Sequence, residues 1–197
     1  SIMESSGNDM VEFLDIAEFL PNKIYTQTKV VRPKVTIHDR HVYISYSAET
    51  SNNAKIEYSE VLSRFIKKDK NAFEVLGLLQ AEMGKTQNGN LSFSNHEYQI
   101  INKVIRWFDR EFEFNDWRWS IKLNIQEPKD LEYKKEIEDK VLSHWLSKAR
   151  IKQEKAYPKR ITYVKITKNT KLGFYDRGTL VIEYKNNLFS QIIKNFV

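Results

Sequence analysis

Between Trp117 and Gln126 the polar side chains Arg118, Ser120, Lys122, Asn124 and Gln126 alternate with Trp117, Trp119, Ile121, Leu123 and Ile125. A period of two predicts a strand with one apolar and one polar face. The polar set consists of residue types that hydrogen-bond base edges and phosphate oxygens. From Ile161 onward, Tyr163, Lys165 and Thr167 share a second face, and Lys168, Lys171 and Arg177 line the loop that follows. Faces of this kind can lie in a DNA groove. The solvent face of any half-buried strand alternates in the same way, but the density of Lys, Arg, Asn and Gln favours a nucleic acid.

Charge points the same way. The chain of 197 residues carries a formal net charge of +6. Residues 1–70 are balanced, with ten basic and ten acidic side chains, so the excess lies beyond them. Residues 148–177 hold ten Lys or Arg against Glu154 and Asp176 alone, a local +8 that attracts polyanions. A solvated lysine-rich surface would show the same excess.

Other chemistries are poorly served. Cysteine is absent, which removes disulfides, thiol nucleophiles and cysteine–zinc sites and fits a reducing, intracellular compartment. His38 and His41 flank a turn and lack the partners of a zinc site. No Gly-rich phosphate loop, Ser-His-Asp set or nucleotide fingerprint is present. The four tryptophans, Trp107, Trp117, Trp119 and Trp145, read as core, and Trp117 also begins the basic strand. No apolar run approaches the length of a membrane helix, and no signal peptide is visible. Residues 1–9 read as a leader, with Met10 a natural start.

The elements that must position these residues can be drafted from periodicity. The spacing predicts a short helix over 11–20, ended by Pro21, a β-hairpin over 35–47, and a helix over 59–66. A second helix is expected over 71–83, a strand at 91–93, and a helix capped by Asn95 with Tyr98, Ile101, Ile105 and Phe108 inward. The strand at 117–126 leads to a helix capped by Asp130 and reaching Ala149. Strands at 161–168 and 179–185 and a final helix at 188–196 complete the chain. The fold class is α+β. The expected organisation is an appendage of helix and hairpin over 1–70 and a DNA-binding domain over 71–197.

The segment Val75-Leu76-Gly77-Leu78-Leu79-Gln80-Ala81-Glu82-Met83-Gly84 resembles the helical motif of the LAGLIDADG homing endonucleases, in the variants that end Ala-Glu-Gly. Gly77 and Ala81 lie four apart on one face, where two such helices would touch. Met83 stands where the family usually has Gly, and Gly84 follows. The unit of strand and helix from Leu91 to Phe108, the stretch 121–127, the helix with Trp145 and the Gly178-Thr179-Leu180 strand also resemble prokaryotic members. The resemblance covers about 71–197.

That resemblance implies an antiparallel β-sheet, a DNA-facing saddle, backed by helices. The single strand between the first two helices and the extra helix between later strands make this a variant of the family's αββαββα plan, unless the hairpin at 35–47 completes the sheet. It also implies that Glu82 binds a divalent metal, Mg²⁺, for phosphodiester hydrolysis, with Gln80 beside it. Lys122, Lys165 or Lys185 would stabilise the transition state, with Lys122 the representative choice. With one acidic motif per chain, cleavage would require a homodimer through the helix at 75–84. The remaining alternatives are a DNA-binding regulator that has lost turnover and an RNA-binding or protein-interaction module.

Overall fold

The computed structural model describes residues 12–26, 29–50, 52–82, 91–112, 117–164, 177–184 and 187–196. The architecture is α+β. Strands β1 (Phe13–Asp15), β2 (Ile24–Tyr25), β3 (Val30–Val31), β4 (Lys34–His38), β5 (His41–Glu49), β6 (Lys55–Ser63) and β7 (Phe65–Lys67) precede helix α1 (Lys70–Glu82). Then follow β8 (Leu91–Asn95), α2 (Tyr98–Glu111), β9 (Trp117–Leu123), α3 (Leu131–Lys148), β10 (Ala156–Tyr163), β11 (Thr179–Tyr184) and α4 (Asn187–Phe196).

The N-terminal strands form two antiparallel pairs, β1 with β7 and β2 with β3, and a three-stranded sheet in the order β4-β5-β6. The expected hairpin is present, turning at Asp39 with φ 53°. It gains β6 as a third strand and does not join the sheet formed by the rest of the chain. The helix expected over 59–66 is instead strand: β6 pairs with β5 along its whole length, from Lys55↔Glu49 to Ser63↔His41. Val61, Leu62, Phe65 and Ile66 have helical spacing, but a ladder of this length outweighs a local preference. The helix expected over 11–20 is also replaced, by β1 and a 3-10 turn at Ile16–Phe19, in which Asp15 accepts the Ala17 N–H at 3.0 Å. A ten-residue helix is marginal by itself, and pairing with β7 offers the backbone better partners.

The second sheet has the strand order β10-β9-β11-β8. It corrects the expectation of a purely antiparallel sheet, because β9 and β10 run parallel. The cause is α3, the crossover helix that returns the chain to the end where β9 began. β11 lies between β9 and β8 and is antiparallel to both. One face is apolar and buried, with Leu91, Phe93, Trp119, Ile121, Leu180, Ile182 and Tyr184 at its centre. Helix α2 packs there, Phe108 lying 4.3 Å from Tyr184 between ring centroids. Helix α3 reaches the same side, where Trp145 donates its indole N–H to the Arg177 carbonyl and Tyr163 donates to Glu138 at 2.8 Å. All four tryptophans are buried, Trp117 included.

The N-terminal strands and the second sheet share a continuous buried core, with α4 between them. Asn195 on α4 donates to the Phe19 carbonyl at 2.9 Å. Gly178 opens β11 with φ +66°, and a Cβ there would stand 2.7 Å from Leu123 Cδ2 and 2.9 Å from the Lys122 carbonyl. Only glycine meets both conditions. No helix among the described residues is long and apolar enough to cross a membrane.

Candidate nucleic-acid interface

The face of the second sheet turned away from the helices carries short polar and charged side chains. Register fixes the rows. Arg118 stands opposite Glu183, which stands opposite Ser92. Ser120, Val181 and Ser94 form the next row. Lys122 lies between Thr179 and Thr162 in the third. Apolar residues at the odd positions of β9 enter the core, so Arg118, Ser120 and Lys122 must point outward. Lys122 is exposed and has no ion-pair partner among the described residues. Arg118 donates Nη1 to the Trp117 carbonyl at 3.3 Å. Tyr157 donates its hydroxyl to Glu183 Oε2.

Other expected contacts sit elsewhere. β9 ends at Leu123, so Asn124 and Gln126 leave the alternating face and belong to the turn before α3. There Gln126 lines a cavity of about 660 Å³ with Leu123, Ile125, Ile137 and Val141 in its wall. Glu127 beside it is ion-paired with Lys134 at 2.5 Å, a hydrogen bond that holds its carboxyl below the usual range. Tyr163 pairs with Leu123, an inward position. Burial, followed by the bond to Glu138, pushes its hydroxyl pKa well up. At the Ile161–Tyr163 end of β10 the outward residue is Thr162, because Ile161 pairs with buried Ile121 and sets the phase; before the register shift, Tyr157 reaches the outward Glu183. Lys165, Thr167, Lys168 and Lys171 lie outside the described residues, as does Lys185. Arg177 is exposed.

The basic run is therefore divided. Lys148 ends α3, and Arg150 and Lys152 belong to the turn after it, on the helix side. Asn102 of α2 holds that turn by accepting the Arg150 N–H at 2.6 Å and donating to the Lys148 carbonyl at 3.0 Å. Trp119 donates to the Lys152 carbonyl at 2.7 Å. Burial raises the pKa of nearby Asp109, and Arg150 and Lys152 oppose that rise. Lys159 and Arg160 lie on β10, at the edge of the sheet.

Helix α1 buries Ala72, Val75 and Leu79. Asp69 starts it, accepting the Ala72 N–H at 2.8 Å, which lowers the Asp69 pKa; Arg110 on α2 lies 3.4 Å from the same carboxylate. Glu74 is paired with Lys103 of α2. Gly77, Gln80 and Ala81 are exposed, and nothing lies within 4 Å of a Cβ built on Gly77. The small-residue face, expected to be packed, is turned outward in the single chain. Glu82 is the last residue of α1, and its side chain lies outside the described set. No group of three His, Asp or Glu among the described residues could hold a metal ion.

Sequence reasoning missed Glu183, Tyr157 and Thr162. The alternation of Thr179, Val181 and Glu183 was visible, but their neighbours on the sheet are set by pairing with β9 and β8. Compared with known proteins, the chain matches no family model, no curated protein and no solved structure.

Proposed function

We propose that this chain binds duplex DNA through the outer face of its second sheet. The observation that carries the reading is the outward row Arg118, Ser120 and Lys122, bordered by Thr162 and Thr179, with Lys122 exposed. Long cations set among short hydroxyl side chains can approach phosphates and base edges together. Duplex is favoured over single strands because β9 and β11 bury their aromatic rings, Trp117, Trp119 and Tyr184, and the half-buried Tyr157 is tied to Glu183. Single-strand readers instead present rings on which bases stack. A homing-endonuclease-like fold belongs to the same proposal, supported by a helix-backed sheet preceded by α1.

The test is fluorescence anisotropy with labelled duplex and single-stranded oligonucleotides over a salt series. Duplex affinity falls as salt rises, and Lys122→Ala reduces the slope by about one. Equal or tighter single-strand binding, or no change of slope, refutes the assignment.

A second reading, a magnesium-dependent endonuclease acting as a homodimer, is favoured by the outward Gly77 and Ala81 face of α1, whose last residue is Glu82. A magnesium ion takes several oxygen ligands. The described residues bring no group of three His, Asp or Glu together at that helix end. Incubating supercoiled plasmid with Mg²⁺ or Mn²⁺ decides it: nicking or linearisation by the parent, lost in Glu82→Gln, supports cleavage.

A further inference from the structure

We propose that Arg118 and Glu183 form a single reading unit for a G·C base pair; this rests on the DNA-binding reading above. The two residues are directly opposite on antiparallel β9 and β11, so their Cβ atoms lie about 4.5–5.5 Å apart. They do not close on each other: Arg118 donates to the Trp117 carbonyl, and Glu183 accepts the Tyr157 hydroxyl. Each therefore keeps hydrogen-bonding capacity for a ligand, since a guanidinium has five N–H donors and a carboxylate has about four acceptor sites.

A carboxylate on this face works against affinity for a polyanion, because it repels phosphates. Its use must lie in selecting what the face accepts. Carboxylates take a hydrogen bond from the cytosine amino group, and arginine pairs in bidentate fashion with guanine O6 and N7. The donor and acceptor edges of one G·C pair lie side by side in the major groove, matching a donor beside an acceptor across two strands. Tyr157 of β10 reaches across β9 to give Glu183 a fixed orientation. Ser92 and Ser120 flank the pair with short side chains.

The experiment is selection from a random duplex library, followed by anisotropy on the enriched duplex and on single base-pair replacements. The parent enriches one position as G·C. Arg118→Ala and Glu183→Gln both lose discrimination at that same position, by about tenfold, and Glu183→Gln shifts it toward A·T because glutamine pairs with adenine N6 and N7. Glu183→Gln also binds non-specific duplex more tightly at low salt. Tyr157→Phe weakens the same preference without raising non-specific affinity, which covers the case of a poorly folded Glu183 variant. If the variants change different positions or none while the parent binds duplex, the reading unit is refuted and DNA binding stands. A parent that binds no duplex refutes both.

Discussion

Asn102 accepts the backbone N–H of Arg150 at 2.6 Å, and with its other end donates to the Lys148 carbonyl. One amide side chain on α2 thus seats the start of the basic run on the helix side, while Lys159 and Arg160 of the same run lie on the edge strand β10. A charge-dense stretch of sequence becomes separate surfaces. Asn102→Ala is expected to lower stability by about 1 kcal/mol, as each of these exposed bonds is a modest net contribution. Duplex affinity should hardly change. Urea denaturation and anisotropy check the two halves; a large loss of binding in a stable variant would put the helix-side turn in the interface.

Gly178→Ala should be among the most damaging small substitutions. It places a methyl group 2.7 Å from Leu123 and forces a positive φ on a residue that disfavours it. Overpacking of this kind costs about 1–3 kcal/mol, with backbone strain in addition. Thermal denaturation of the purified variant measures the loss, and an unchanged midpoint would mean that β11 enters the sheet differently.

Gly77→Leu should leave the single chain folded, because the new side chain meets open space, and helix propensity should add about 0.5–1 kcal/mol. The motif leads one to expect Gly77 where two such helices touch, and in the single chain that face is exposed. If α1 pairs between two copies, the same substitution blocks the pairing. Sedimentation of parent and variant gives the answer: a dimeric parent and a monomeric, stable variant support pairing through this face.

Asp15 and Arg64 join β1 to the turn before β7 through a two-pronged contact, at 2.8 Å from Nη2 and 3.1 Å from Nε. That hydrogen bond holds the Asp15 pKa below its ordinary 3.8. A lowered folded-state value means that the contact stabilises above the unfolded pKa and is lost as pH falls through the folded one. Acid titration followed by circular dichroism should show the parent losing stability below about pH 4, and Asp15→Asn should lack that part of the dependence while being less stable at neutral pH. Parallel acid curves would remove Asp15 from the account.

The sequence was informative wherever one local rule decided the outcome. Arg118, Ser120 and Lys122 were legible because a buried partner occupies each intervening position of β9. The same alternation runs on through Asn124 and Gln126, yet the strand has ended, since the chain must turn toward the cap at Asp130, which accepts the Tyr133 N–H at 2.7 Å. Tyr163 was assigned to the wrong face because Ile161, Thr162, Tyr163 and Val164 put bulk on both sides, and only pairing of Ile161 with Ile121 fixes the phase. The strand β6 was hidden because the spacing of Val61, Leu62, Phe65 and Ile66 suits a helix, while its ladder with the preceding strand β5 is set by pairing across the turn between them. Gly77 and Ala81 were correctly read as one face, but spacing alone does not say which face of a helix the core takes. Ala72, Val75 and Leu79 took it.

The position of β11 has a consequence for synthesis. β8 and β9 have no shared hydrogen bonds in the finished sheet; each is laced to β11, the last of the strands to be made. A ribosome that has released residues 91–163 has released the β9–β10 pair and a β8 with nothing to lean on. The outer face with its row of Arg118, Ser120 and Lys122 becomes a continuous surface only once Thr179–Tyr184 has slid between its neighbours. Until then two apolar strand edges stand open, the interval in which a nascent chain of this topology is most exposed to pairing with the wrong partner.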